Sequence, residues 1–583
     1  MAQLGRLVVN RCRRFFLAVL AVFAFAGMPR LAAAQASPEP AAPSQGQADG
    51  PTVAALLRQR IKHVFVIFQE NHTFDNYFGT YPGAENLTTE LARSHGFRQE
   101  DPLGKQWVTP FLIRDPDIAG PSQSRSVVIP KIDAGKMDRF VAEQERYSQR
   151  EYAASDAQRV GLLTMAHYDC DTLPFLWKYA HTFALFDHVF ESMASPSTPP
   201  NIAVIAGQAG QTQWARHPDE SSAAGKGGLG VPVINDLNPA YGPYTEKGSL
   251  QLPQRYATIP LLLAGRDAGQ ATHDLDDVAE DVAFVAHGGR DPIAWGWYQE
   301  GYVSSTQALP GYVEHHNAVQ YFAYLRNNDV FWSHVHPQQD LLAALHGATL
   351  PSSGVFYVKG AGDRNAFGWH PANPDAFVQQ HFLGDDDHPG DDHTDRHIGE
   401  AFVATFVNAI ARSPYWKDSA IVVTWDDGGG FYDHVPPPQF ERCPDGHPCG
   451  DGTRVPLIVI SPFARSGAIV RDLGDTTSVV KLVESVFGLP ALASLPDERP
   501  YLPMGPRDQS DKLTDLSGAF DPARLQGSAS PIPPAAADIS DAVVNAFPPR
   551  MSCATLGIRP AAVPGAGATP PLGFAARTAQ YVP

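Results

Sequence analysis

Three short stretches of this 583-residue chain carry residue types able to do chemistry. The first is Glu70-Asn71, at the end of the apolar run 61–69. A carboxylate and a carboxamide there offer oxygen ligands to a hard cation. Asn also starts turns and caps helices, and composition alone does not separate the two readings. The second is Asp426-Asp427, followed by Gly428-Gly429-Gly430 and then Phe431-Tyr432-Asp433-His434. Adjacent carboxylates at the end of a buried strand are costly unless a cation or other partners neutralise them. The glycines let backbone approach a ligand, and His434 follows as an acid, base or ligand. A surface turn is the competing account, and the apolar run before the pair favours the metal. The third is Ser195-Pro196-Ser197-Thr198-Pro199-Pro200-Asn201. A hydroxyl on a stiff loop becomes a nucleophile if a metal lowers its pKa, although Ser/Pro loops are common.

Histidines gather at His315-His316-Asn317 and at His388-Pro389. Either place could hydrogen-bond anionic oxygens; a single His is more often structural. The acidic run of Asp385 to Asp387 with Asp391-Asp392 reads as a solvated loop, because exposed charge runs face water.

These residues need a frame. Residues 61–69, 419–425 and 454–461 are short, apolar and β-branched, each followed by polar or turn residues, and predict buried strands. Helical patterns at 397–412 and 475–487 lie between or after them, and 173–190 is also apolar and helix-like. Strands alternating with helices predict an α/β fold with a mostly parallel sheet and ligands at the carboxyl ends of its strands. Residues 210–350, rich in Gly, Pro and aromatics, read as a cap-like elaboration on a catalytic domain spanning 53–525. Residues 526–583 read as a Pro/Ala-rich extended tail along the surface.

The N-terminus reads as a signal peptide over 1–36: Arg11, Arg13 and Arg14, an apolar stretch from Phe15 to Met28, then Ala34-Gln35-Ala36. Arg13-Arg14-Phe15-Phe16-Leu17 fits the twin-arginine pattern. Residues 37–52 read as a flexible linker. The apolar stretch is too short to span a membrane, so the mature chain is expected to have no transmembrane segment and to be periplasmic or secreted. The chain has 44 Lys+Arg against 62 Asp+Glu; the first 36 residues take five Arg and no acid, leaving 39 against 62. That balance argues against nucleic acid as a partner. Four cysteines remain in an exported chain. Cys443 and Cys449 bracket a turn-rich stretch and are expected to pair; Cys170 with Cys553 is allowed by the count.

Several blocks together resemble the bacterial phosphoesterase family that contains acid phosphatases and phosphatidylcholine-type phospholipases C. They are Ile61 to Gly79, Gly135 to Asp138, Asp187 to Asn201, Tyr312 to Phe322, Thr424 to Pro438 and Arg454 to Gly467, within about 61–490. The resemblance implies a three-layer, alkaline-phosphatase-like core and hydrolysis of phosphate esters through a phosphoserine. It implies one divalent metal ion (Ca, Mg, Mn or Zn) on Glu70, Asn71, Ser197, Asp426 and Asp427. It implies Ser197 as nucleophile, His315 and His316 around the phosphate, and His434 or His388 protonating the leaving group. The expected partner is a phosphate ester, either a small molecule or a phospholipid head group. The nucleophile loop has one proline more than the family pattern, which keeps Thr198 as the alternative nucleophile. Asp117 to Pro121 stands where the family tends to place a phosphate-contacting His. Asp475-Thr476-Thr477-Ser478 stands where many members have D-H-T-S, which argues against a second metal or an extra His ligand. A non-catalytic exported binding protein on the same fold is the competing class. A sulfatase or other phosphodiesterase of the superfamily is a further one, though Ser197 lacks the C/S-x-P-x-R context of a sulfatase.

Overall fold

The computed structural model describes residues 51–564, apart from 116–117, 221–227, 232, 244–249, 266–277, 288–290, 310, 326–327, 363–386, 389–395, 441–442, 444–449 and 547–548. The expected signal peptide, nearly all of the linker, Cys449, most of the acidic run and the last 19 residues lie outside the described residues.

Eight strands form one sheet. In chain order they are β1 (His63–Gln69), β2 (Ala184–Phe186), β3 (Ala294–Gln299), β4 (Val335–Pro337), β5 (Gly354–Lys359), β6 (Ser419–Trp425), β7 (Leu457–Ile460) and β8 (Ala468–Val470). Their order across the sheet is β4-β3-β5-β1-β6-β7-β2-β8. Every neighbouring pair is parallel except β6–β7 and β7–β2, so β7 alone is reversed. The three apolar runs are strands as expected, but the last one starts at the sheet edge where β1 and β6 end. Its leading residue, Arg454, therefore sits on the site side. The helix-like stretch 173–190 is in fact a helix, Pro174–Thr182, followed by β2 and a further short strand, Val189–Phe190.

All seven residues of β1 and all seven of β6 are buried, so both faces of the sheet are covered. Two groups of helices cover it. One contains α1 (Val53–Arg60), α2 (Thr198–Ala206) and α3 (Thr477–Phe487). The other contains Pro174–Thr182, Gln338–Gly347 and α4 (Arg396–Arg412). The result is the α/β core with a mostly parallel sheet that the sequence predicts, layered as the family resemblance implies. In α3, Val479, Val480, Leu482, Val483 and Val486 make a buried face at helical spacing, and the helix stops at Gly488 in the left-handed region (φ 61°).

Residues 210–350 depart from expectation. This segment supplies β3 and β4, which complete one side of the sheet, and is therefore partly core. Its aromatics are the reason: Trp297 stacks on Tyr357 of β5, and Trp295 on His334. The tail is anchored more firmly than an extended surface strand. Short helices at Pro522–Gln526, Pro534–Ala537, Asp541–Val544 and Cys553–Leu556 punctuate it, and Ile532, Ala537, Ile539 and Val544 are buried. Cys553 is disulfide-bonded to Cys170 across 383 residues. Cys443 is also disulfide-bonded; its expected partner Cys449 is not among the described residues. Among the described residues, no helix is long and apolar enough to cross a membrane.

Candidate active site

The carboxyl ends of adjacent parallel strands bring the first two stretches together. β1 runs straight into Glu70-Asn71 and β6 into Asp426-Asp427, with Gln69 paired to Trp425 in register. Asn71 turns the chain with φ 66°, a left-handed conformation that Asn tolerates better than most residues. The glycine loop fits against it: a Cβ on Gly429 would fall 2.0 Å from the Asn71 carbonyl oxygen. Lys131, fully buried, ties the same loop down from below. Its ammonium donates to the Gly430 carbonyl (2.9 Å), the Ser122 carbonyl (3.0 Å) and Gln144 Oε1 (2.8 Å), and burial lowers its pKa to about 7.

Ser197 precedes α2, whose first turn holds Pro199 and Pro200. Proline is tolerated there because the first four N–H groups of a helix have no intrahelical partner. The additional proline therefore lengthens a helix start. Ser197 Oγ donates toward Glu70 Oε2 (2.9 Å), Asn71 Oδ1 (3.3 Å) and Asp427 Oδ2 (3.2 Å). Thr198 faces elsewhere: its Oγ1 donates to Asp236 Oδ1 (3.0 Å), which also accepts from the Thr198 N–H (3.1 Å).

The set is rich in oxygen acceptors and poor in protons. The Asn71 carboxamide fits it in two ways. With its nitrogen toward Asp427 it donates to both carboxylate oxygens (2.9 and 2.8 Å), and its oxygen accepts from His388 Nε2 at 2.8 Å. With its oxygen inward, it adds an acceptor to a group of acceptors that only a cation can satisfy. Glu70, Asn71, Ser197 and Asp427 thus fit a hard divalent ion. Asp426 stands one step back. Its Oδ1 accepts from the N–H groups of Asn71 (3.1 Å) and Asp427 (2.7 Å), and its Oδ2 from Asn201 Nδ2 (3.1 Å). Burial first, then the charges of Asp426 and Glu191, push the Asp427 carboxyl well above the usual range.

The histidines divide. His316 Nδ1 lies 3.3 Å from Glu70 Oε1, and His315 meets the His316 ring edge-on at 4.5 Å. His388 faces Asn71 as above and lies 3.3 Å from Gln123 Nε2. It is held from behind by its neighbour. Asp387, expected in a solvated loop, is instead buried, bonded to the Tyr77 hydroxyl and to Arg396 Nε (2.8 Å), while its carbonyl oxygen pairs with His72 Nε2 (3.1 Å). The flanking aspartates of that run are not among the described residues.

His434 lies in a different cluster. Nδ1 bonds Asp75 Oδ2 (2.6 Å) and Nε2 bonds Glu85 Oε1 (3.1 Å). Burial would lower its pKa, but the charge and hydrogen bond of Asp75, with Glu85, outweigh it and hold the imidazole at about 9. Arg454 bonds Asp433 Oδ1 (2.8 Å) and Asp75 Oδ1 (3.1 Å), so the cluster carries its own cations. Sequence reasoning missed Arg454, Asp75 and Glu85, because the reversal of β7 is not visible in an apolar run. It also missed Lys359 at the end of β5, which pairs with Glu70 Oε1 and lies 3.7 Å from Asp426 Oδ2. A lysine closing a wholly apolar strand was the available signal. Two other acidic groupings hold no open ligand set: Asp75, Asp433 and His434 already bind Arg454, and beside Asp169 and Asp171 the Cys553 sulfur is in a disulfide.

The model of the Phosphoesterase family matches residues 61–490. The chain is 23% identical to a non-hemolytic phospholipase C of Burkholderia pseudomallei, over 82% of this chain and 64% of that protein. It is 22% identical to a hemolytic phospholipase C of Pseudomonas aeruginosa, over 75% of this chain and 54% of that protein. A non-specific phospholipase C1 of Arabidopsis thaliana is 37% identical over a shorter stretch, 16% of this chain and 18% of that protein. The chain thus spans less than two thirds of the length of each of these curated relatives. A solved phosphonate monoester hydrolase from Silicibacter pomeroyi aligns at a TM-score of 0.22 with 13% identity, over 55% of this chain and 69% of that chain, too weak a likeness to bear on the topology.

Proposed function

The chain belongs to the Phosphoesterase family, and on that premise we propose that it hydrolyses phosphate esters through a phosphoserine on Ser197. The observation that carries this reading is the convergence on Ser197 Oγ of Glu70, Asn71 and Asp427, all within 3.3 Å, while Thr198 is engaged by Asp236. Glu70, Asn71, Ser197 and Asp427 would hold one divalent ion, with Asp426 fixing Asn71 and Asp427 through their N–H groups. When bound, such an ion supplies Lewis-acid stabilisation of negative oxygen.

The chain's own groups do the rest. Ser197 Oγ, its hydroxyl oriented by Glu70 Oε2 at 2.9 Å, loses its proton to solvent and attacks phosphorus. The P–O bond to the alcohol breaks, and the leaving alkoxide takes a proton. We assign this proton to His388, since both ring nitrogens of His434 are held by carboxylates. Water then cleaves the phosphoserine and returns Ser197. His316 and His315 sit beside Glu70, where imidazoles can bind phosphoryl oxygens.

The relatives named phospholipase C support a diester substrate such as a phospholipid head group; the compact polar set suits a phosphate monoester equally. Hydrolysis of p-nitrophenyl phosphate and p-nitrophenylphosphorylcholine, with and without chelator, separates the two. Chelator-sensitive turnover lost in Ser197→Ala is the expected result. Turnover that survives in Ser197→Ala would overturn the nucleophile assignment. We propose further that the protein is exported, through the basic and apolar residues of 1–36. The Cys170–Cys553 disulfide supports an oxidising destination. N-terminal sequencing of protein from the cell exterior or periplasm, expected to begin near Ser37, tests it.

A further inference from the structure

Three neighbouring parallel strands end side by side at one edge of the sheet. β5 ends in Lys359, β1 leads into Glu70 and β6 into Asp426. Lys359 is fully buried at the last position of an otherwise apolar strand, and its ammonium lies 5.0 Å over the Phe68 ring. The same ammonium pairs with Glu70 Oε1 and lies 3.7 Å from Asp426 Oδ2. Glu70 thus divides its two oxygens, Oε1 to Lys359 and Oε2 to Ser197. Asp426 divides its own in a similar way: Oδ1 to backbone N–H groups, and Oδ2 to Asn201 and toward Lys359.

Burying an ammonium is costly, and it persists only where anions hold it. Here Glu70 Oε1 and Asp426 Oδ2 do so, oxygens that would otherwise be open to a second cation. Charge points the same way. Glu70, Asp426 and Asp427 carry three formal negative charges and Lys359 one positive, so one divalent ion neutralises the group and two would overcharge it. Glu191 accepts from the Thr453 N–H (2.7 Å) and hydroxyl (3.3 Å) and is not part of this ligand set.

We propose that Lys359 fixes the number of divalent ions in this site at one, its ammonium standing on the Glu70 and Asp426 oxygens where a second ion would bind. The inference rests on the metal reading above and concerns how many ions, not which reaction.

The test is metal counting on the full mature chain, with Mn(II) as the probe, by elemental analysis after gel filtration and by titration calorimetry. Wild type is expected to hold one Mn(II) per chain. Lys359→Met is expected to hold two, with the first bound at least tenfold more tightly, and Lys359→Arg is expected to hold one. A folded Lys359→Met chain that binds one Mn(II) with unchanged affinity overturns the inference, as does a wild type that binds two. If Lys359→Met is unfolded in chelator, its recovery with Mn(II) decides: two ions per refolded chain support the role, and one ion overturns it. A wild type that binds no Mn(II), nor any other divalent ion, removes the metal reading itself, and is distinguished from the other results by the wild-type count alone.

Discussion

Asn71 and Gly429 meet backbone to backbone: no side chain can be placed on Gly429 without falling on the Asn71 carbonyl oxygen, 2.0 Å from its would-be Cβ. Both residues lie in the left-handed region, with φ 66° and 60°. The contact joins the end of β1 to the loop after β6 and so sets the spacing of Glu70, Asn71 and Asp427. Gly429→Ala would strain the backbone and force the loops apart. We expect a loss of about 2–4 kcal/mol in stability, measured by urea unfolding, from backbone strain combined with overpacking. Divalent-ion affinity should fall at least tenfold in calorimetry, even where the variant is folded.

Ser197 and Thr198 should differ sharply when tested singly. Ser197→Ala should reduce turnover of a p-nitrophenyl phosphoester by three orders of magnitude or more, on the scale of losing a covalent nucleophile. Thr198→Val removes the hydroxyl bond to Asp236 but leaves Ser197 Oγ in place. We expect turnover within about tenfold of wild type, and a loss of order 1 kcal/mol in stability, the usual worth of one hydrogen bond. Reversal of the two effects would make Thr198 the nucleophile.

His388 owes its position to Asp387, which Tyr77 and Arg396 grip inside the core. Asp387→Asn keeps the volume and loses the charge pair with Arg396. Its expected effect is a fall in kcat of about tenfold or more with little change in KM, because a misplaced proton donor slows the chemical step without weakening ground-state binding. A p-nitrophenolate leaving group needs little protonation. The same variant should therefore lose less activity on it than on an alkyl phosphate, a contrast that general loosening of the fold does not produce.

His434 makes a prediction about pH. Its folded pKa of about 9 lies above the 6.5 of an unfolded His, so the folded state binds the proton more tightly. The stabilisation is fully present below about pH 6.5 and is lost as pH rises through about 9. A shift of this size corresponds to roughly 3 kcal/mol at most, at 1.36 kcal/mol per pKa unit. The stability gap between wild type and His434→Gln, read from urea midpoints, should be largest at pH 6 and should narrow steadily toward pH 9.5. A gap constant across that range would mean that His434 is neutral and serves only to pack.

Removing the Cys170–Cys553 bond tests the anchoring of the tail. Cys553→Ser with Cys170→Ser should cost about 2–4 kcal/mol, the usual range for a native disulfide. Because Ile532, Ile539 and Val544 remain buried, the tail should keep most of its protection from protease up to about residue 545. Cleavage should move to the stretch around Cys553.

Much of the site was legible in the sequence because its chemistry lies at the ends of strongly apolar strands. Glu70-Asn71 and Asp426-Asp427 follow seven-residue strands buried throughout, and a polar pair after such a run has few places to be. The parallel α/β core followed from the same runs. What escaped notice was set by tertiary placement. Asp387 reads as one aspartate among several, and only Arg396 and Tyr77 make it a buried anchor. Arg454 reaches its acid cluster because β7 runs against its neighbours, a direction that hydrophobicity does not encode. β3 and β4 were hidden in an aromatic-rich stretch whose rings pack on the sheet rather than over it.

The order of strands also has a meaning in time. β1 lies at the centre of the sheet and is the first strand of it to be synthesised, yet its partners β5 and β6 begin at residues 354 and 419. The hydrogen bond from Asn71 N–H to Asp426 spans 355 residues of sequence. A nascent chain therefore carries one half of the candidate site long before the other half exists. Until β6 arrives, Glu70 and Asn71 have neither Asp427 beside them nor Gly429 against them. A chain that stops before residue 419 lacks Asp426, Asp427 and the glycine loop altogether, and its central strand has no β6 on one edge.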